Sequence, residues 1–129
     1  MLCIDNEARV REAMAILLGG WGCRVATAAS QAEALAEVAR FGRPPDLLLA
    51  DLHLDEGPDG LDVIGELRHA WARTVPAALV TADRDPTLRT RARARHIELL
   101  HKPVKPASLR ALLRLHNRPA VAVRASSAG

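Results

Sequence analysis

Leu47-Leu48-Leu49-Ala50-Asp51 is a short apolar run without alternation that ends on a carboxylate. A strand with one solvated face alternates apolar and polar residues, so this run predicts a central strand covered by helices on both faces. Pro44-Pro45 just before it forbids continuation of any helix arriving from upstream. The polar stretch with Gly57-Pro58-Asp59-Gly60 just after it reads as a loop.

Outward from that strand, short apolar runs alternate with stretches of helical periodicity five times over, the pattern of an α/β domain with a parallel sheet. Upstream, Leu2-Cys3-Ile4 gives a strand, and Val10, Ala13, Met14, Leu17 and Leu18 give a helix from Glu7 to Leu18 that Gly19-Gly20 is expected to stop. Arg24-Val25-Ala26 is the expected second strand, and Ser30-Gln31-Ala32-Glu33 is a capping-box pattern opening a helix to about Phe41. Downstream come a helix over Leu61 to His69, a strand over Ala77 to Val80, and a helix opened by the N-cap Asp85 with Pro86 at its first position. Glu98 to His101 is the fifth strand, and a helix from about Pro106 to His116 closes the series. From Arg118 onward the chain reads as a linker or frayed tail.

The bulk properties allow one domain. The chain has 129 residues, 49% hydrophobic and 26% charged, an ordinary globular balance. No apolar run approaches the roughly 18 residues of a membrane span and no secretory signal opens the chain, so a cytoplasmic protein without direct membrane contact is expected. Cys3 and Cys23 lie in apolar stretches, not in a CxxC pair, and read as buried free thiols. The net charge of +3 raises nucleic-acid binding, but Arg89, Arg91, Arg93 and Arg95 alternate with a period of two, which on a helix spreads them around the cylinder. Aromatics for base stacking are lacking too, since Phe41, Trp21 and Trp71 stand alone and Tyr is absent. A solvated helix face and no nucleic-acid partner are the expectation.

Residues just past the carboxyl ends of parallel strands gather in one crevice where the strand order reverses. Asp5, Asp51, Thr81 and Lys102 all stand there. Crowded carboxylates repel one another unless a cation lies between them, and all-oxygen donors point to a hard ion, Mg²⁺. A Lys ammonium and a Thr hydroxyl opposite suit phosphoryl oxygens. A carboxylate between a metal and a lysine can attack phosphorus, because charge developing on the transferred group is neutralised from both sides. Asp51, the most central of the four, is the expected nucleophile.

These residues resemble the receiver domain of bacterial response regulators and hybrid histidine kinases, whose pattern is an acidic cluster after strand one, a phosphoacceptor Asp after strand three, Ser or Thr after strand four and Lys-Pro after strand five. The likeness runs from Leu2 to about His116. In Cys3-Ile4-Asp5-Asn6-Glu7, Trp21-Gly22-Cys23, Asp46 to Asp51, Leu79 to Asp83 and Lys102 to Pro106 it is most similar to the C-terminal receiver of a hybrid sensor histidine kinase. The resemblance implies a single flavodoxin-like (βα)5 doubly wound parallel sheet with strand order 2-1-3-4-5 over residues 1–117, followed by a linker or disordered tail over 118–129. It further implies that Asp51 accepts a phosphoryl group, that Thr81 and Lys102 bind its oxygens, and that Asp5, Asn6, Asp51 and the backbone carbonyl of His53 hold Mg²⁺. The implied partner is the phosphohistidine domain of a histidine kinase, in the same chain or another, or a histidine phosphotransfer protein. His53 and Asp83 occupy variable positions that influence loss of the phosphoryl group, and a cis bond is expected before Pro103.

The sequence departs from the family pattern in four ways. Asn6 replaces the usual second acidic residue, keeping an oxygen ligand but removing a charge. Asp55 stands where Pro is usual, and Gly60 comes one residue late. Leu99 replaces the switch aromatic of strand five, so the phosphorylated domain is expected to stay monomeric and its partner to dock near Asp51 against helix one. The chain also begins abruptly at strand one, as though cut from a longer protein. A receiver that is never phosphorylated and acts as a binding module is the main alternative, supported by Asn6. A phosphohydrolase of the haloacid dehalogenase type fits less well, because His53 stands where that chemistry needs a second Asp. Asp55, Glu56 and Asp59 read as loop solvation, and Trp21 and Trp71 as caps on the core.

Overall fold

A computed structural model describes residues 1–54 and 58–115. Five parallel strands, β1 (Leu2–Ile4), β2 (Ala26–Ala28), β3 (Leu48–Asp51), β4 (Ala77–Thr81) and β5 (Ile97–His101), form one sheet in the order β2-β1-β3-β4-β5. The connecting helices are α1 (Ala8–Gly20), α2 (Gln31–Phe41), α3 (Gly60–Ala70) and α4 (Pro86–Ala94); α5 follows over residues 106–115. This is the doubly wound, flavodoxin-like arrangement expected from the sequence. Expectations about residues 55–57 and 116–129, the tail from Arg118 among them, fall outside the described residues.

The period of two along each strand divides the core between the two faces of the sheet. Leu2, Ile4, Leu48, Ala50, Ala77, Leu79 and Ile97 point to one cluster, completed by Ala34 of α2, Leu61, Ile64 and Leu67 of α3, and Leu88 and Ala92 of α4. Cys3, Leu49 and Ala78 point to the other, with Leu18 of α1 and Leu109, Leu112 and Leu113 of α5. The unbroken apolar run of β3 is thereby explained, since both of its faces are covered.

Three elements differ from the sequence reading. Gly19 and Gly20 do not end α1; both are helical, and the reversal comes at Gly22 with φ 86°. Gly22 N donates to Gly19 O and Cys23 N to Leu18 O, each at 3.0 Å, so the left-handed residue of this C-terminal motif is the third glycine and not the first pair. Strand β2 starts two residues later than Arg24, because its register is set by pairing Ala26 with Leu2 and Ala28 with Ile4, while Val25 packs into the second cluster from outside the ladder. The arginine-rich α4 is not only solvated: Arg91 pairs with Asp59 at 3.3 Å and Arg95 with Asp62 at 3.4 Å. Asp59, expected to be loop solvation, is thus an ion-pair partner and also the N-cap of α3, accepting from Asp62 N at 3.0 Å.

Other local signals act as expected. Ser30 caps α2 by accepting from Glu33 N, while the Glu33 carboxylate reaches back to Ala29 N, and Gly42 (φ 83°) closes the helix. Asp85 caps α4 with Pro86 in its first turn. Trp21 and Trp71 follow the last residues of α1 and α3 and pack on the two core clusters, Trp21 also under the Arg110 guanidinium at 4.8 Å. Among the described residues no helix is long and apolar enough to cross a membrane.

Candidate functional site

The strand order reverses between β1 and β3, whose carboxyl ends deliver Asp5 and Asp51 to the same crevice. Both are almost fully buried, as is Thr81 at the end of β4. Lys102 follows β5, where its N–H donates to Thr81 O at 2.9 Å and the Lys102-Pro103 bond is cis. Its Nζ lies 3.2 Å from Asp51 Oδ1 and 3.8 Å from Asp5 Oδ2. One half-buried ammonium therefore faces two buried carboxylates, leaving the three groups together with a negative charge.

Each arm of the crevice is held by local hydrogen bonds. The Asp5 carboxylate accepts from Glu7 N at 2.9 Å, which shapes the turn into α1. Burial raises the Asp5 carboxyl above its ordinary value and the neighbouring Asp51 carboxylate pushes the same way, while the Glu7 N–H, Lys102 and Arg11 oppose them. The Thr81 hydroxyl accepts from Asp83 N at 3.0 Å, and the Asp83 carboxylate accepts from Asp85 N at 2.9 Å, a relay of turns leading to the α4 cap. Gly60 lets the start of α3 lie against the nucleophile candidate's own backbone. A Cβ there would contact the Asp51 carbonyl oxygen and lie 2.8 Å from Leu79 Cδ1 and 2.9 Å from Asp51 C.

Of the residues singled out in the sequence, the structure brings Asp5, Asp51 and Lys102 into direct contact. Thr81 sits at the adjacent strand end with its hydroxyl engaged by Asp83 N. Asn6 is half-buried beside Asp5, and His53 is exposed two residues beyond Asp51. Leu99 is half-buried on the first core cluster, beside Leu79 in the ladder. The sequence reading missed Arg11, whose Nη1 donates to the backbone carbonyl of Asp5 at 2.6 Å. Its only advance signal was its place one turn into the helix that follows Asp5, where an arginine ordinarily reads as solvated.

The donors suit a hard cation. The two buried carboxylates of Asp5 and Asp51 are oxygen donors, and Mg²⁺ takes one or two carboxylates and leaves its other positions to water and phosphate. Among the described residues no group of three or more His, Cys, Asp or Glu side chains is placed to hold a metal ion.

The fold and its crevice are those of a receiver domain of two-component signalling. The chain belongs to the response regulator receiver domain family, whose pattern matches residues 1–114. It is 29% identical over 113 residues to the phyllosphere-induced regulator PhyR of Methylorubrum extorquens, covering 88% of this chain and 41% of that protein. It is 38% identical over 85 residues to the transcriptional regulatory protein KdpE of Mycobacterium tuberculosis, covering 66% of this chain and 35% of that protein. The chain thus spans less than half the length of these curated relatives. Among solved structures, a putative response regulator from Chloroflexus aurantiacus is 30% identical with a TM-score of 0.74, covering 88% of this chain and 92% of that one. The Vibrio cholerae chemotaxis protein CheY4, at 23% identity, shares the fold with a TM-score of 0.77 over 89% of this chain and 95% of its own.

Proposed function

We propose that Asp51 accepts a phosphoryl group from a phosphohistidine, in a Mg²⁺-dependent reaction, and that the domain serves a phosphorelay as part of a hybrid histidine kinase. The observation that carries this reading is the contact of Lys102 Nζ with Asp51 Oδ1 at 3.2 Å, with the Asp5 carboxylate beside it, at the sheet's switch point. Asp5, Asn6, Asp51 and the His53 carbonyl would hold Mg²⁺, which supplies charge neutralisation for phosphoryl oxygens when bound.

The chain's own residues do the rest. An Asp51 carboxylate oxygen attacks phosphorus in line with the departing imidazole nitrogen. The new O–P bond forms as the P–N bond breaks, and the nitrogen keeps that electron pair and is protonated from solvent. Lys102 exchanges its contact with the Asp51 carboxylate for a phosphoryl oxygen, and the Thr81 hydroxyl turns from Asp83 N to donate to another. Burial of Asp51 keeps competing water away from the attack.

The partner in this reading is the phosphohistidine domain of a histidine kinase, in the same chain or another, or a histidine phosphotransfer protein. Leu99 supports the relay role: a half-buried leucine packed on the core offers little differential contact by which phosphorylation could remodel the β5 surface, and in a relay the phosphoryl group is itself the signal. Residues 1–117 form the receiver unit, 118–129 a linker, and the setting is cytoplasmic. The test is incubation of the purified domain with Mg²⁺ and a small acyl phosphate, read by intact mass. Gain of one phosphoryl group that is lost with a chelator supports the reading. Gain that persists without any divalent ion refutes it.

A further inference from the structure

Arg11 is the cation next to the crevice that the reading above leaves without a task. It is half-buried on α1, and Nη1 grips the Asp5 carbonyl at 2.6 Å. Among the described residues it forms no ion pair with a carboxylate, the ion pairs being those of Arg40, Arg91, Arg95 and Lys102. Its charge therefore stays at the β1–α1 turn, on the backbone of the residue whose carboxylate faces Lys102. The carboxylates of Asp5 and Asp51 are then matched by the cations of Lys102 and Arg11, with the neutral Asn6 between β1 and α1 adding nothing. These four side chains together carry no net charge before any metal ion enters.

We propose that Arg11 is a positioning residue with a second effect: it fixes the Asp5 turn through the carbonyl and acts as a resident counter-charge that keeps divalent-cation affinity low until a phosphoryl group adds negative charge. This rests on the reading that the crevice takes Mg²⁺. A divalent ion approaching the two carboxylates is repelled by Lys102, which can swing away, and by Arg11, which its carbonyl bond holds in place. Cation and phosphoryl binding are thereby coupled, each favouring the other.

The test is a Mg²⁺ titration of wild type, Arg11→Gln, Arg11→Lys and Asn6→Asp, followed by amide NMR shifts of Glu7 and Lys102. Arg11→Gln keeps an N–H donor for the Asp5 carbonyl and drops the charge. Removing one unit charge from the neighbourhood of a divalent ion in a water-like dielectric should tighten binding about 3- to 10-fold. Arg11→Lys, which keeps the charge, should stay within about twofold of wild type, and the Arg11→Gln gain should shrink as added salt screens it. Unchanged or weakened binding in Arg11→Gln overturns the counter-charge proposal while leaving the Mg²⁺ site standing. Absence of binding in every variant, Asn6→Asp included, removes the underlying reading and the proposal with it.

Discussion

Substituting the two glycines of α3 by alanine should change stability in opposite directions. Gly65 is exposed in mid-helix, and a methyl added there would meet nothing within 4 Å, so Gly65→Ala gains the helix preference of alanine, about 0.5–1 kcal/mol. Gly60 is the first residue of the same helix, but its methyl would strike the Asp51 carbonyl and approach Leu79 Cδ1 to 2.8 Å. Leu79 can turn its methyl aside; the Asp51 carbonyl is backbone of a central strand and cannot move without carrying β3 along. Overpacking of this kind costs about 1–3 kcal/mol, which exceeds the propensity gain and leaves a net loss of about 1–2 kcal/mol. For a chain of this size that is a fall in Tm of roughly 3–10 °C, against a rise of roughly 2–4 °C for Gly65→Ala. Because the displaced atoms belong to Asp51, Gly60→Ala should also slow phosphoryl labelling by about tenfold, whereas Gly65→Ala leaves it alone. Thermal unfolding followed by circular dichroism, with intact-mass labelling at a fixed time, reads both. Equal stabilisation by the two substitutions would refute the close approach of α3 to the Asp51 backbone.

Arg68 of α3 donates to Val75 O, Arg95 O and His96 O at 2.9, 2.6 and 3.1 Å, tying down the turn where His96 takes φ 55°. Arg68→Met should cost about 1–2 kcal/mol in urea denaturation, since two of the three bonds are solvent-exposed, and a cost near zero would show that the turn holds itself. Burial pushes the Cys3 thiol up to about 12, so a maleimide at pH 8 should leave Cys3 unlabelled in the native domain and modify it only in denaturant; rapid native labelling would contradict its place in the core. The Asp5 carboxyl is raised chiefly by burial, so its contribution to stability is fully present below the ordinary aspartate value of 3.8 and is lost as pH rises through its higher folded value. Asp5→Asn in metal-free buffer should therefore raise the urea midpoint at pH 7 and make no difference near pH 3, and a lower midpoint at pH 7 would reverse the sign argued for this carboxylate.

Most of the architecture was legible because it rests on local signals that agree with one another. The uninterrupted Leu47 to Ala50 run announced a doubly covered strand, and Ser30, Gly42, Asp85 and Pro86 marked helix ends by their own chemistry. Asp5, Asp51 and Lys102 were findable because parallel strands deliver their carboxyl ends to one place. What stayed hidden depends on partners distant in the chain. Edge strand β2 takes its register from β1, not from its own Ala-Thr-Ala, and Gly19-Gly20 look like a stop until Gly22 is seen to take the left-handed turn. Arg91 and Arg95 find Asp59 and Asp62 more than thirty residues away. Arg11 binds a main-chain carbonyl, and no side-chain motif encodes that bond.

The central claim is that Asp51, and no other carboxylate, receives the phosphoryl group. An aspartyl phosphate is a mixed anhydride that borohydride reduces to the alcohol, so a phosphorylated aspartate becomes homoserine and keeps that mark through proteolysis. The domain, labelled with a small acyl phosphate in Mg²⁺, reduced and digested, should show homoserine at position 51 alone, with none in an unlabelled control or in Asp51→Asn. Homoserine at position 5, or phosphate recovered on a histidine with position 51 unmarked, would contradict the assignment.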